Sequence, residues 1–258
     1  MGATKKLPWL YLILAYGFAW LCWIPVALTG MDYQSSPWLV FIVLLGAFGP
    51  FLAGIILTNV GGNRERRREF WQRVVDIRRI RPIWYVLIVL MWPGLQTLAV
   101  ILNRLLGGEM PDFRFVKDLL AQPWGIMVVP VLYFLQAAVE EPGWRGTMLE
   151  QMLPAWGGVK ASWLVGIFHA LWHLPLFFMA GTDQVEMGLD IDFLFFAAQV
   201  TASSFFATWC YTQNGHSTLA AALLHFTGNF FSGVFGILPG TPKFYIYILV
   251  LVAGAVLV

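Results

Sequence analysis

Residues 161–180 read ASWLVGIFHALWHLPLFFMA, with no Asp, Glu, Lys or Arg and with histidines at 169 and 173. About 20 apolar residues rising ~1.5 Å each cross a hydrocarbon layer of ~30 Å. Seven more apolar runs surround this one: Leu7–Leu28, Trp38–Val60, Ile83–Leu102, Trp124–Val139, Phe193–Thr212, Ser217–Leu238 and Phe244–Val258. The first is too long for a signal-peptide core and lacks a small-residue cleavage site behind it, so it reads as a retained helix. The 258 residues are 59% hydrophobic, 16% aromatic and 12% charged, with a mean hydropathy of +0.71. Soluble domains carry about 25% charged residues. The expectation is an all-α integral membrane protein: one polytopic domain over 1–258, built as a bundle of about eight transmembrane helices. Cys22 and Cys210 stand alone in apolar runs and offer neither a disulfide framework nor a thiolate metal site.

The net charge of +2 hides a strong asymmetry. If the runs alternate from a cytoplasmic N-terminus, inside segments hold Lys5, Lys6, eight arginines from Arg64 to Arg81, Arg145 and Lys160, which is 12 of the 16 basic residues. The 181–192 segment, placed outside, has Asp183, Glu186, Asp190 and Asp192 and no basic residue. The excess of Lys and Arg on one side predicts both termini in the cytoplasm of a multi-pass cell-membrane protein. Segment 61–82 interleaves its arginines with Phe70, Trp71, Val74, Val75 and Ile77, which suits a helix lying on an anionic inner leaflet or a plain topology anchor. Nothing in this pattern points to nucleic acid.

An ionisable side chain at the centre of a bilayer helix costs at least about 2.5 kcal/mol, so one that persists faces a cavity or a partner. Three clusters stand out. Glu141 and Arg145 are i and i+4 and can pair across one helical turn, while Glu140 points about 100° away and is left free for chemistry. The same group also fits an interfacial cap and salt bridge. Reaching the other clusters requires the fourth helix to continue past Pro142. His169 and His173 share a helix face, a spacing that can chelate a metal, although no Glu follows His169 as the metalloprotease helix signature demands. His225 and Asn229 also share a face. They can hold the oxyanion that forms when water attacks a carbonyl, or they can act as an interhelical clasp worth about 0.6 kcal/mol.

Taken together, Glu-Glu-x-x-x-Arg at 140–145, Trp-His-x-Pro around His173 and His-x-x-x-Asn at 225–229 resemble the three motifs of the CPBP family. These are intramembrane glutamic endopeptidases related to the type II CAAX prenyl endopeptidases and to the Abi immunity proteins. The resemblance covers about Trp124 to Phe235 and implies eight helices around a polar intramembrane cavity. It implies Glu140 as the general base that activates water, His173 as its assistant, His225 and Asn229 as oxyanion donors, and Glu141 and Arg145 as support. No cofactor is implied, and the substrate class is a membrane-associated protein or peptide, of which a CAAX-type prenylated tail is one example. One departure is visible. The family often has Phe four residues before the second-motif histidine, where this chain has His169.

Two other readings use the same residues. A metallopeptidase would take His169, His173, His225 and a glutamate as ligands of a divalent cation. A noncatalytic membrane partner, immunity protein or proton-linked carrier would use the Glu and His residues as a relay or binding site. A carrier of inverted repeats should show broken helices in both halves, whereas these polar residues are confined to the second half.

Overall fold

The computed structural model describes residues 7–60, 62–122, 124–238 and 240–258. Lys5 and Lys6, which entered the charge count, lie outside them. The described residues are helical and contain no strand. The chain runs α1 (Trp9–Leu28), α2 (Pro37–Ala47), α3 (Gly49–Val60), α4 (Arg64–Val75), α5 (Pro82–Leu105), α6 (Arg114–Ala121) and α7 (Gly125–Gly143). A π-helical turn at Trp144–Leu149 leads straight into α8 (Glu150–Trp172), followed by α9 (Asp183–Met187), α10 (Ile191–Gln213), α11 (Thr218–Phe235) and α12 (Pro242–Ala255). Helix starts follow local chemistry. Pro37, Pro82 and Pro242 occupy first-turn positions where no N–H is needed. Asn63 caps α4 by accepting from the Arg66 N–H at 2.9 Å, and Ser217 caps α11 by accepting from Ala220 at 3.1 Å.

Among the described residues five helices are long and apolar enough to cross a membrane, or six when α2 and α3, bent by 44°, count as one span. The chain is thus a multi-pass membrane protein, but its helices do not divide into the eight separate spans expected. The fourth and fifth apolar runs are not parted by a polar loop. They form one helical stretch, Gly125–Phe178, whose break is at Gly157 (φ 68°, ψ 171°), a left-handed conformation that a side chain would strain. The eighth run yields only the 14 residues of α12, about 21 Å at 1.5 Å per residue.

Two apolar clusters flank the centre. One joins α1 to the π-turn and α8 through Tyr11, Trp23, Trp144, Met148 and Trp172. The other joins α5, α10, α11 and α12 through Trp84, Trp92, Phe206, Leu224 and Tyr247. Small residues permit close crossings, as is common where lipid supplies no hydrophobic drive between helices. A Cβ on Gly166 would lie 2.5 Å from the Thr201 Cα, and one on Gly143 would lie 2.3 Å from the Pro50 carbonyl oxygen.

The basic segment forms α4 and is tied to the bundle. Phe70 is buried, and Arg73 pairs with Glu150 at 2.9 Å and with Glu69 at 3.3 Å. Arg79 reaches Glu69 at 2.8 Å. The Tyr211 hydroxyl donates to Glu150 at 2.7 Å and accepts from Arg73 at 3.1 Å, and the His216 Nδ1–H donates to Glu150 at 2.7 Å. Arg64, Arg67 and Arg68 remain on the exposed side of the helix.

The α3–α7 crossing gives a direct test. Gly143→Ala pushes a methyl group into backbone, so thermal unfolding in detergent should show a loss of about 1–3 kcal/mol, the usual range for overpacking. An unchanged midpoint would mean that these helices are not in tight contact.

Candidate active site

Pro142 lacks an N–H and its ring crowds the preceding turn. Instead of ending the helix, the chain loosens into the π-turn, and the Thr147 hydroxyl donates to the Pro142 carbonyl at 3.1 Å. Single π-turns of this kind are frequent at functional sites. The fourth helix therefore continues past Pro142, carrying Glu140, Glu141 and Arg145 into the bundle, where they are 2%, 1% and 3% exposed.

Each carboxylate has its own partners. Glu140 accepts from the His169 Nε2–H at 2.9 Å. Glu141 Oε1 accepts from Arg145 Nη1 at 2.9 Å and from the His225 Nδ1–H at 2.8 Å. A carboxylate only accepts, so these bonds place the ring protons on His169 Nε2 and His225 Nδ1. The His173 Nδ1–H donates to the His169 carbonyl at 3.0 Å, which leaves the His173 Nε2 as an acceptor when the ring is neutral.

Other helices hold the histidines in place. The His169 ring stacks between Trp144, with centroids 4.8 Å apart, and His173, at 5.1 Å. From α1, the Tyr16 hydroxyl donates to the Phe168 carbonyl and the Trp20 indole to the Trp172 carbonyl, fixing the backbone beside both rings. On α11, the Leu224 carbonyl accepts from the Trp92 indole at 2.6 Å and Thr227 donates to the Ile88 carbonyl at 2.9 Å. The face bearing His225 is thus turned inward. A Cβ on Gly228 would sit 3.2 Å from the Trp92 indole, so this small residue serves the helix crossing.

Glu140, Glu141, Arg145, His169, His173, His225 and Asn229 all line one cavity of about 180 Å³. The residues singled out in the sequence therefore converge. Sequence reasoning missed two features. His169, set aside from the catalytic group, is the direct partner of Glu140, and His225 is bonded to Glu141. Gln136, Gln199, Ser203 and Ser232 also line the cavity, and only the polarity of residues inside apolar runs could have pointed to them. The ligand set of the alternative metallopeptidase reading, His169, His173, His225 and a glutamate, is met only in part. Glu140, His169 and His173 offer ligand atoms all within 4.8 Å of one another, and His225 is not part of that group.

The arrangement can bind and polarise water. Two water hydrogen bonds of ~2.8 Å span up to ~5.6 Å, so one water can bridge Glu140 and His173, which offer ligand atoms within 4.8 Å of each other. That water would touch two proton acceptors, the arrangement of general-base catalysis.

Residues 122–231 match the family model described as type II CAAX prenyl endopeptidase Rce1-like. Over its whole length the chain is 28% identical, across 266 aligned residues, to the CAAX prenyl protease 2 of Methanococcus maripaludis, with 100% of this chain and 95% of that relative covered. The matched segment contains Glu140, Glu141, Arg145, His169, His173, His225 and Asn229, while Trp92, Ser232 and Tyr247 of the cavity wall lie outside it.

The buried ion pair can be tested apart from activity. Arg145→Met leaves Glu141 charged with only His225 beside it. Breaking a buried pair from one side typically costs about 3–5 kcal/mol, so the variant should unfold at a clearly lower temperature. The Glu141→Gln/Arg145→Met double variant should regain part of the loss. A single variant as stable as wild type would show that the pair bears no structural load.

Proposed function

We propose that this chain, an intramembrane endopeptidase with a type II CAAX prenyl endopeptidase Rce1-like domain over residues 122–231, cleaves its substrate with a water activated by Glu140. The observation that carries the reading is the Glu140 carboxylate, held by the His169 N–H at 2.9 Å in a cavity shared with His173, His225 and Asn229. Glu140 accepts a proton from the bridging water as the water oxygen attacks the scissile carbonyl carbon. His173 Nε2 holds the second hydrogen of that water. The carbonyl oxygen becomes an oxyanion, which receives the Asn229 amide N–H and the His225 Nε2–H when that ring carries both protons, with Glu141 as its counter-ion. The C–N bond then breaks, and the proton on Glu140 passes to the departing amine. Neither a serine nor a cysteine nucleophile takes part.

The substrate we propose is a membrane-associated protein whose cleavage site enters the cavity, with a prenylated tail as the specific form. The name of the Methanococcus maripaludis relative supports that form. We place the chain in the cell membrane as a single domain with both termini cytoplasmic and the exposed Arg64, Arg67 and Arg68 against anionic headgroups. The support is the crowding of basic residues on one side, since a polybasic segment gains about 1 kcal/mol per Lys or Arg near an anionic leaflet.

Glu140→Gln keeps the shape and removes the base. It should lower turnover on a membrane-anchored peptide at least ~100-fold, the lower end for general-base catalysis, whereas metal chelation should leave the wild-type rate intact. Near-normal cleavage by Glu140→Gln, or loss on chelation restored by one added divalent metal, would overturn the mechanism. For orientation, single cysteines introduced at positions 64 and 190 should react with an impermeant reagent from opposite faces. Reaction of both from one side would refute the topology.

A further inference from the structure

The Glu140–His169 bond uses a residue where the resembled family often has Phe, and it brings the chain close to a different chemistry. Glu140, His169 and His173 present one carboxylate oxygen and two imidazole nitrogens, all within 4.8 Å of one another. We propose that these three side chains form a divalent-cation site of the zinc type, and that a cation bound there blocks hydrolysis. The proposal rests on Glu140 being the base.

Three observations carry it. First, the donor set of two histidines and one carboxylate with a further position open to water is one that zinc adopts. The present Oε2–Nε2 distance of 2.9 Å is close to the ~3.3 Å that separates two ligands ~2.0 Å from one tetrahedral ion. Second, the outer partners are already in place. A metal-ligating histidine almost always donates its other ring N–H to a carbonyl, carboxylate or water, and the His173 Nδ1–H donates to the His169 carbonyl at 3.0 Å, so its Nε2 is the free ligand atom. Third, the rings are fixed before any ion arrives. His169 lies stacked between Trp144 and His173 with interplanar angles of 24° and 25°, so little side-chain freedom is lost on binding.

The exchange balances simply. The cation takes the place of the His169 Nε2 proton between the ring and Glu140; that proton moves to Nδ1 of the same neutral ring, so carboxylate and imidazole both ligate in their resting charge states and no net proton is released. Glu140, ligated through one oxygen beside a dication, loses the basicity it needs to take a proton from water. A zinc hydrolase needs a second carboxylate free to act as base. Glu141 does not supply one: its charge is held by Arg145 and His225 through Oε1, and its other oxygen, which has no hydrogen-bond partner, has less than 1 Å² of accessible surface and so is closed to water. The cation is therefore an inhibitor that competes with the attacking water.

The test is made on the full-length purified protein in detergent or vesicles. Equilibrium dialysis against Zn²⁺ with metal analysis should find one ion per chain. The same zinc should suppress cleavage of a membrane-anchored peptide, and chelation should restore it. His169→Phe keeps the aromatic stack on Trp144 and deletes a ligand. It should raise the zinc concentration for half-saturation at least ~tenfold, the lower bound for disturbing even an outer partner of a metal ligand. His169→Gln is the second variant, and Co²⁺ supplies a readout independent of turnover, since its four-coordinate visible absorption should be present in wild type and absent from both variants. Equal zinc affinity in wild type and both variants overturns the site, and bound zinc that leaves cleavage unchanged or raises it overturns the inhibition. Protein that binds zinc as described but cleaves nothing removes the protease mechanism and leaves the site. Protein that cleaves with Glu140 dependence and binds no zinc removes the site alone.

Discussion

Two adjacent carboxylates buried in an apolar bundle set the conditions that the rest of the structure meets. Within a bilayer no bulk water satisfies a charge, and an unpartnered ion costs several kcal/mol. Glu140 and Glu141 are neighbours on one helix and point about 100° apart, so no single cation can serve both. Each needs its own donors from its own side. Glu140 finds His169 on α8, and Glu141 finds Arg145 on its own π-turn and His225 on α11. Meeting both demands ties α7, α8 and α11 together around one cavity, and the convergence of residues far apart in sequence follows from that solvation requirement.

Backbone irregularities make the arrangement possible. A regular helix end at Pro142 would have returned the carboxylates toward the interface. The π-turn from Trp144 to Leu149 keeps the segment helical, and the Thr147 hydroxyl takes up the Pro142 carbonyl. The small residues at Gly143 and Gly54 let α3 lie against this turn, where a Cβ would meet the Pro50 carbonyl oxygen at 2.3 Å or the Thr147 hydroxyl at 2.8 Å. Proline and glycine here are conditions for close packing beside a charged site.

The apolar runs were legible because each is about one bilayer long, and they coincide with α1, α2 with α3, α5, α7, α10, α11 and α12 to within a few residues, whereas the run at 161–180 covers only the second half of α8 and the turn after it. Where one span ends and the next begins was less legible, because hydropathy does not register a π-turn in place of a loop or a kink at a glycine such as Gly157. The polar clusters were visible by contrast with their surroundings. Which partner each residue takes depends on rotation about the helix axes and on tertiary contacts. The i,i+4 rule carried the pair of Glu141 and Arg145. It carried nothing about the bond from His169 to Glu140, which joins residues 29 apart, or about the bond from His225 to Glu141, which joins residues 84 apart. The resembled family often has Phe where this chain has His169, so the motifs themselves assign no role to its contact with Glu140.

The network around Glu150 completes the physical logic. Glu150 lies just beyond the π-turn, ten positions after Glu140 in the same helical column, and it holds Arg73, Tyr211 and His216. Single exposed ion pairs contribute little, about 0–1 kcal/mol, but Arg73 is only 12% exposed and is shared between two carboxylates and a hydroxyl. The column is therefore held at two levels, by α8 and α11 at Glu140 and Glu141 and by α4, the end of α10 and the turn before α11 at Glu150. A slide or rotation of α7 that relieved one level would strain the other. Two-level fixation suits a site whose base must stay within one water of its histidine, and it couples the position of the basic helix α4 to the same rod that carries the carboxylates.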